Sequence, residues 1–140
     1  MKRVQPPALV LDSWSVLAYL AGEPAGQAVA DIISQAHENN GKLVMTVANM
    51  GEVWYILARQ ASEKEADEAV EDLDRLGIER VDIDWKLARE AAKFKAKVRM
   101  SYADCFAAAL AKLRGAPLVT GDEEFKQVGR EIRILWPGKR

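Results

Sequence analysis

Five short runs rich in Leu, Val and Ile, separated by longer amphipathic stretches, are the feature of this sequence that most limits its fold. Runs this short and apolar are typical of β-strands that are buried on both faces. Such burial indicates a parallel sheet covered by helices, and the intervening stretches are long enough for the crossover helices that a parallel sheet needs. The sequence therefore predicts one α/β domain with strands at residues 8–11, 43–46, 78–83, 118–120 and 132–135.

Capping residues and glycines mark the helices predicted between these strands. Ser62 and Glu65 form a capping box that opens one helix, and Gly77 closes it. Asp84 is expected to cap another helix, and Gly115 ends an alanine-rich one. The helix that Asp84 caps is predicted at residues 85–98, and the alanine-rich helix at residues 101–114. Further helices are predicted at residues 13–20, 25–39 and 49–60, with a short one around residue 125.

One cysteine and one histidine exclude several classes of site. They allow no internal disulfide, no Cys/His zinc site and no Cys–His nucleophile pair. Carboxylates, together with metal ions that carboxylates hold, remain as the main reactive groups, and the chain has 21 Asp and Glu residues. A length of 140 residues suits a single domain spanning residues 1–140.

Charge and hydropathy point to a cytoplasmic protein. The apolar run after Met1, Lys2 and Arg3 is cut off by Asp12 before it reaches the length of a signal-peptide core. No stretch reaches the ~20 apolar residues of a membrane span. The net charge of −1 gives no overall attraction to nucleic acid or membrane, so a polyanionic partner has to be met by a local patch or by bound cations.

Four acidic residues stand apart from those scattered over solvated helix faces. Asp12 follows the first predicted strand, Glu52 lies in the first turns of the helix after the second, Asp104 lies in the first turn of its helix, and Asp122 follows the fourth strand. The carboxyl ends of parallel strands share one edge of the sheet, where ligand sites of open α/β folds form. We therefore expect these four carboxylates to meet there.

Helix capping is the ordinary alternative for each of these positions. A cap contributes about 1 kcal/mol, whereas two anions a few ångströms apart repel by on the order of a few kcal/mol at an effective dielectric near 20. If the four carboxylates converge, repulsion outweighs capping and a cation is needed. The capping alternatives are Asp12 and Asp122 as N-caps, Asn49 with Glu52 as a capping box, and Ser101 with Asp104 as a similar pair.

Oxygen ligands without His or Cys suit Mg²⁺ or Mn²⁺, which keep several water ligands and engage substrate phosphates. Such ions can activate a water molecule and offset charge on the leaving oxygen during phosphodiester cleavage. A nearly neutral chain could then hold a nucleic-acid backbone, because the ion supplies positive charge at the reacting phosphate.

Four segments resemble the PIN-domain family, specifically the VapC-type toxin ribonucleases of bacterial toxin–antitoxin modules. Their order and spacing span nearly the whole chain. The segments are Val10-Leu11-Asp12-Ser13-Trp14, Val47-Ala48-Asn49-Met50-Gly51-Glu52-Val53-Trp54-Tyr55, Ser101-Tyr102-Ala103-Asp104-Cys105-Phe106-Ala107-Ala108-Ala109-Leu110 and Val119-Thr120-Gly121-Asp122-Glu123-Glu124-Phe125.

This resemblance implies a three-layer αβα sandwich with a central parallel sheet of strand order 3-2-1-4-5. It also implies an endoribonuclease that depends on Mg²⁺ or Mn²⁺, with Glu52 acting either as a ligand or as the base that holds a water molecule. By the motif match, the acidic metal and catalytic site comprises Asp12, Glu52, Asp104 and Asp122, with Ser13, Asn49 and Thr120 as polar supports.

The resemblance further implies an inhibitory antitoxin and a homodimer as protein partners, in addition to an RNA substrate. Trp14, Trp54 and Tyr55 are expected either in the core or at a partner interface, because aromatic residues are favoured interface anchors. A basic run before the helix that carries Asp104 is either a solvated face or a contact to the RNA backbone. This run comprises Lys93, Lys95, Lys97 and Arg99.

Two other classes of function remain open on the residues alone. One is a non-catalytic α/β interaction module in which the acids only cap helices. The other is a phosphate-handling domain of the receiver or haloacid-dehalogenase type, which also places an Asp at the end of its first strand. The latter type expects a second Asp where Trp14 stands, and a receiver expects a lysine that residues 120–122 lack.

Overall fold

The computed structural model describes residues 8–138 and contains one parallel sheet of five strands. The order across the sheet is β3-β2-β1-β4-β5, which confirms the 3-2-1-4-5 arrangement. It differs from the 2-1-3-4-5 order of receiver-type domains, so the receiver form of the phosphate-handling alternative is wrong. The strands are β1 (Ala8–Leu11), β2 (Lys42–Thr46), β3 (Ile78–Val81), β4 (Leu118–Val119) and β5 (Ile134–Leu135).

Three strands are shorter than predicted, β4 by one residue and β3 and β5 by two residues each. β3 ends at Val81 because Asp84 turns the chain and caps the next helix, accepting from the Leu87 N–H at 2.9 Å. β5 begins only at Ile134, since the N–H of Ile132 donates to the Val128 carbonyl in a turn. The domain prediction of 1–140 extends at both ends beyond the described residues.

Six α-helices and one 3-10 helix connect the strands within residues 8–138, close to the predicted positions. They are α1 (Ser13–Ala21), α2 (Pro24–Glu38), α3 (Val47–Gln60), α4 (Glu63–Arg75), α5 (Trp85–Lys97), α6 (Tyr102–Arg114) and the 3-10 helix (Glu123–Val128). None of the helices described there is long and apolar enough to cross a membrane.

The start of α3 corrects one sequence-based alternative. Thr46, the last residue of β2, is the N-cap, and its hydroxyl accepts from the Asn49 N–H at 3.0 Å. The expected capping box of Asn49 with Glu52 is therefore wrong, because the helix begins at Val47, before Asn49. Asn49 therefore lies inside the first turn of α3 and not at its cap, and it is completely buried. Its side chain does not cap α3 and can form hydrogen bonds with other elements.

Successive side chains of each strand point to opposite faces of the sheet, so a separate apolar core forms on each face. Val10, Val44 and Leu118 point into one core with α5 and α6, while Leu11 and Val119 point into the other. The second core contains apolar side chains of α1 to α4, so the molecule has three layers, as expected. Helix α6 can lie close to the sheet because its buried face is rich in alanine.

Candidate metal centre

The four predicted carboxylates lie near the edge of the sheet where the strands end. Asp12 follows β1, Asp122 lies beyond β4, Glu52 lies on α3, and Asp104 lies in the first turn of α6. Asp104 interacts electrostatically with each of the other three. Residues that are far apart in the chain are thus brought to one place, as the parallel sheet predicts.

Glu124 is a fifth carboxylate at this edge, and the sequence argument missed it. Oxygen atoms of Asp104, Asp122 and Glu124 lie within 4.8 Å of one another. The side chain of Asp122 caps the 3-10 helix by accepting from the Glu124 N–H at 2.9 Å, which folds the chain back. The signal that could have found Glu124 is its spacing of two residues from Asp122 at a helix start.

Asp12 is the most deeply buried of these acids, with 1% of its surface exposed. One of its oxygens, Oδ1, caps α1 by accepting from the Ser15 N–H at 2.9 Å, and Oδ2 accepts from the Thr120 hydroxyl at 2.5 Å. Burial nevertheless raises the pKa of Asp12 to about 7, because these hydrogen bonds only partly offset the loss of hydration. Capping and participation in the cluster are therefore compatible at this residue.

Asp104 is half-buried and does not cap its own helix. Ser101 is the cap, and its hydroxyl accepts from the Asp104 N–H at 3.1 Å. The pKa of Asp104 is raised to about 6, chiefly by burial. The negative charges of Asp122, Glu52 and Glu124 contribute to this rise, and the hydrogen bond with Ser101 opposes it. Burial and the neighbouring negative charges both disfavour the ionised form of Asp104, and a bound cation would offset that penalty.

The donor set fits a hard divalent cation. The atoms that face one another are carboxylate oxygens of Asp104, Asp122 and Glu124, with no sulfur or imidazole ligand among them. Oxygen donors of this kind suit Mg²⁺ and Mn²⁺. Several negative charges in a partly buried site also explain why neutralisation by a proton or a cation is favourable.

Thr120 connects two parts of the centre. Its hydroxyl donates to Oδ2 of Asp12 and accepts from the Asp122 N–H at 3.1 Å. The side chain is fully buried, so both contacts are shielded from water. Thr120 thereby fixes the Asp12 carboxylate relative to the turn that carries Asp122, in agreement with its expected supporting position.

Trp14 packs directly on the loop of the metal centre. Its indole ring lies so close to Gly121 that a Cβ at that position would overlap the ring. The partly buried side chain also lines a cavity of about 370 Å³ between α1 and α3, together with Leu17, Leu57 and Gln60. Trp14 therefore contacts both the loop before Asp122 and an open groove.

Gly121→Ala is expected to reduce the free energy of unfolding by about 1 to 3 kcal/mol, because the new methyl group overpacks against Trp14. Gly51→Ala is a matched control, since Gly51 is exposed on α3 with open space around its Cα. The control should gain roughly 0.5 to 1 kcal/mol from the helix propensity of alanine. Urea unfolding compares the two, and equal midpoints would contradict the close packing.

Trp54 and Tyr55 are neighbouring residues of α3. The Trp54 Nε1–H donates to Oδ1 of Asp67 on α4 at 2.9 Å, which ties the two helices together. Tyr55 is 42% exposed, and the guanidinium of Arg59 lies 4.9 Å from its ring centre. Trp54 thus has an internal packing role, while Tyr55 presents an aromatic surface.

The basic run lies on α5 and the loop that leads to α6, and its side chains are exposed. Lys93 pairs with Glu90 and Lys97 with Glu131, each at 3.6 Å. The Lys95 ammonium group donates to the Met100 carbonyl at 2.6 Å, next to the residue that caps α6. The run is therefore partly engaged within the chain.

Comparison with known proteins adds independent information on this fold. Among solved structures, VapBC2 from Rickettsia felis, bound to a DNA fragment from its promoter, has a TM-score of 0.76 at 13% identity, covering 92% of this chain and 98% of that chain. VapC20 from Mycobacterium tuberculosis, a toxin described as cleaving the sarcin–ricin loop, has a TM-score of 0.69 at 19% identity, with coverages of 86% and 95%. VapBC-1 from nontypeable Haemophilus influenzae has a TM-score of 0.73 at 16% identity, with coverages of 94% and 99%.

These structural likenesses show a shared fold at low sequence identity. Curated protein sequences include no significant match to the chain. A family model, in contrast, matches residues 9–131, which include all five carboxylates of the centre. The chain therefore belongs to the PIN domain family.

Proposed function

We propose that this protein is an endoribonuclease that depends on Mg²⁺ or Mn²⁺ and acts as the toxin of a toxin–antitoxin pair. Family membership supports a nuclease role. The observation that carries the proposal is the convergence of Asp12, Glu52, Asp104 and Asp122 at one edge of the sheet, with an electrostatic penalty that a divalent cation would relieve. Structural relatives that are toxin–antitoxin proteins support the biological setting.

In this proposal the oxygens of Asp104, Asp122 and Glu124 would hold the cation, together with the more deeply buried carboxylate of Asp12. A bound Mg²⁺ or Mn²⁺ supplies the positive charge that stabilises the scissile phosphate and lowers the pKa of the attacking water. Glu52 either completes the ligand set or accepts a proton from that water. Thr120 keeps the carboxylate of Asp12 in one orientation.

A cleavage assay with purified protein tests the proposed activity. Three substrates are each incubated with Mg²⁺, with Mn²⁺ or with EDTA. They are total cellular RNA, a folded RNA, and a DNA with the sequence of that folded RNA. We expect cuts within the RNA only when the divalent ion is present, and little cleavage of the DNA. Metal-independent cleavage, or no cleavage of total cellular RNA in either ion, would overturn the assignment.

The basic run is proposed to contact the RNA backbone. We expect the double variant Lys95→Gln/Arg99→Gln to bind RNA more weakly and to flatten the salt dependence of log K by about 1.4, or about 0.7 for each lost phosphate contact to single-stranded RNA. Lys42→Gln/Lys64→Gln is the control, because Lys42 lies at the opposite end of the sheet, where β2 begins. If the salt dependence of log K is the same in both double variants, Lys95 and Arg99 do not contact the RNA backbone.

A cognate antitoxin and a second copy of this chain are the proposed protein partners. Tyr55 offers an exposed aromatic surface on α3, and Trp14 lines the neighbouring groove. Light scattering during size exclusion should give twice the 15.5 kDa mass of one chain. A species of 15.5 kDa at every concentration would contradict the homodimer.

A further inference from the structure

Asn49 is a buried amide whose hydrogen bonds join three helices. It lies in the first turn of α3 and has no exposed surface. Its Nδ2 donates to the Ala103 carbonyl on α6 at 3.1 Å and to Oγ of Ser13 on α1 at 3.4 Å. Its Oδ1 accepts from the Thr46 hydroxyl at 2.5 Å. Both the donor and the acceptor of the amide are therefore used.

Ser13 adds a return contact to this network. Its hydroxyl donates to the backbone carbonyl of Asn49 at 3.1 Å, and the side chain is buried. The first turns of α1 and α3 are thus joined through both a side chain and the backbone. The bond from Asn49 to Ala103 extends the connection to the first turn of α6.

Each helix held by Asn49 carries a carboxylate of the metal centre close to the contact. Asp12 directly precedes Ser13, and Asp104 directly follows Ala103. Glu52 lies three residues after Asn49, which is about one turn further along α3. None of the hydrogen bonds of the Asn49 side chain goes to a carboxylate. Its contacts therefore set the spacing of the ligands without adding a ligand.

We propose that Asn49 is a positioning residue that fixes Asp104 relative to Asp12 and Glu52, and so determines the affinity of the centre for a divalent cation. The inference rests on the proposed metal-dependent function and deepens it. A shift of the α6 first turn by a fraction of an ångström would change the distances between carboxylates without removing any of them. Groups that orient metal ligands typically contribute 10- to 100-fold to metal affinity.

The experiment is a calorimetric titration of Mn²⁺ into folded protein without RNA. Asn49→Leu keeps a side chain of similar size but removes all amide hydrogen bonds, and Asn49→Ser is a milder variant in case the first one does not fold. Val29→Ala is the control, because Val29 is a fully buried residue of α2, a helix that carries none of the carboxylates of the centre. Circular dichroism establishes that each variant is folded at the temperature of the titration.

We expect Asn49→Leu and Asn49→Ser to bind Mn²⁺ at least 10-fold more weakly than wild type, and Val29→Ala to stay within twofold. In the cleavage assay, saturating Mn²⁺ should restore part of kcat while KM for RNA stays within about twofold. Wild-type affinity in the folded Asn49 variants, or an equal loss in Val29→Ala, would overturn the proposal.

The Mn²⁺ titration also separates the two proposals. If wild type binds Mn²⁺ and the Asn49 variants do not, but no RNA is cleaved, only the nuclease assignment fails. If RNA is cleaved and the Asn49 variants retain full Mn²⁺ affinity, only the positioning role fails. Absence of Mn²⁺ binding in wild type overturns both.

Discussion

Asp104→Asn should lower the rate of Mn²⁺-dependent RNA cleavage by at least about 100-fold, because metal-assisted catalysis contributes several kcal/mol and each 1.36 kcal/mol is a factor of ten in rate. Asp104 interacts electrostatically with each of the other carboxylates of the centre, which are Asp12, Glu52, Asp122 and Glu124. The amide keeps the size of the side chain while removing its charge. The loss should therefore be in catalysis and not in folding.

A conservative replacement far from the centre provides the comparison. Asp31 is exposed on α2, where its carboxylate accepts from the Gln27 amide at 2.9 Å. Asp31→Asn should cleave RNA at the wild-type rate under the same conditions. If Asp104→Asn is as active as Asp31→Asn, the carboxylates do not form a catalytic metal centre.

Asp12→Asn should stabilise the metal-free protein at neutral to alkaline pH. Burial raises the pKa of Asp12 in the folded state to about 7, far above its ordinary value of 3.8. The folded state therefore keeps a proton between about pH 4 and 7 that the unfolded chain has lost, so the stability of wild type falls as pH rises through this window. The total cost is on the order of 4 kcal/mol at pH 8. Asparagine carries no charge in this range and avoids the penalty.

Urea unfolding of both proteins in EDTA at pH 5 and pH 8 measures this effect. The difference in the free energy of unfolding should favour Asp12→Asn by a few kcal/mol more at pH 8 than at pH 5. Saturating Mn²⁺ should reverse the advantage, since the cation stabilises the ionised carboxylate of wild type. A wild-type protein whose stability rises between pH 5 and 8 in EDTA relative to the variant would contradict the account.

The sequence predicted the layers of the fold better than their details. Alternating apolar runs and capping residues located the strands and helices, but the 3-2-1-4-5 order came from the family resemblance. Periodicity alone does not specify which strands are neighbours. α3 starts two residues before the predicted residue 49, because Thr46 both ends β2 and caps the helix that follows directly.

The candidate centre was predictable where a carboxylate follows a strand or opens a helix. Asp12 and Asp122 follow that rule, and both cap a helix as well. Glu124 was not predicted because it belongs to an exposed acidic run, and only the 3-10 turn brings it to Asp104. The resemblance implied Asn49 as a polar support, but the sequence did not predict its hydrogen-bond partners, because Ser13 on α1 and Ala103 on α6 are far away in the chain.

The most direct test of the metal centre is calorimetric titration of Mn²⁺ into wild type and Asp104→Asn at pH 7.5 without RNA. The arrangement of Asp12, Asp104, Asp122 and Glu124 predicts saturable binding to wild type. Binding should release only a fraction of a proton at this pH, because the pKa of Asp12, about 7, lies just below it. Binding should be at least about 10-fold weaker in the variant. Absence of saturable binding to wild type, or equal affinity in the variant, would contradict the central claim.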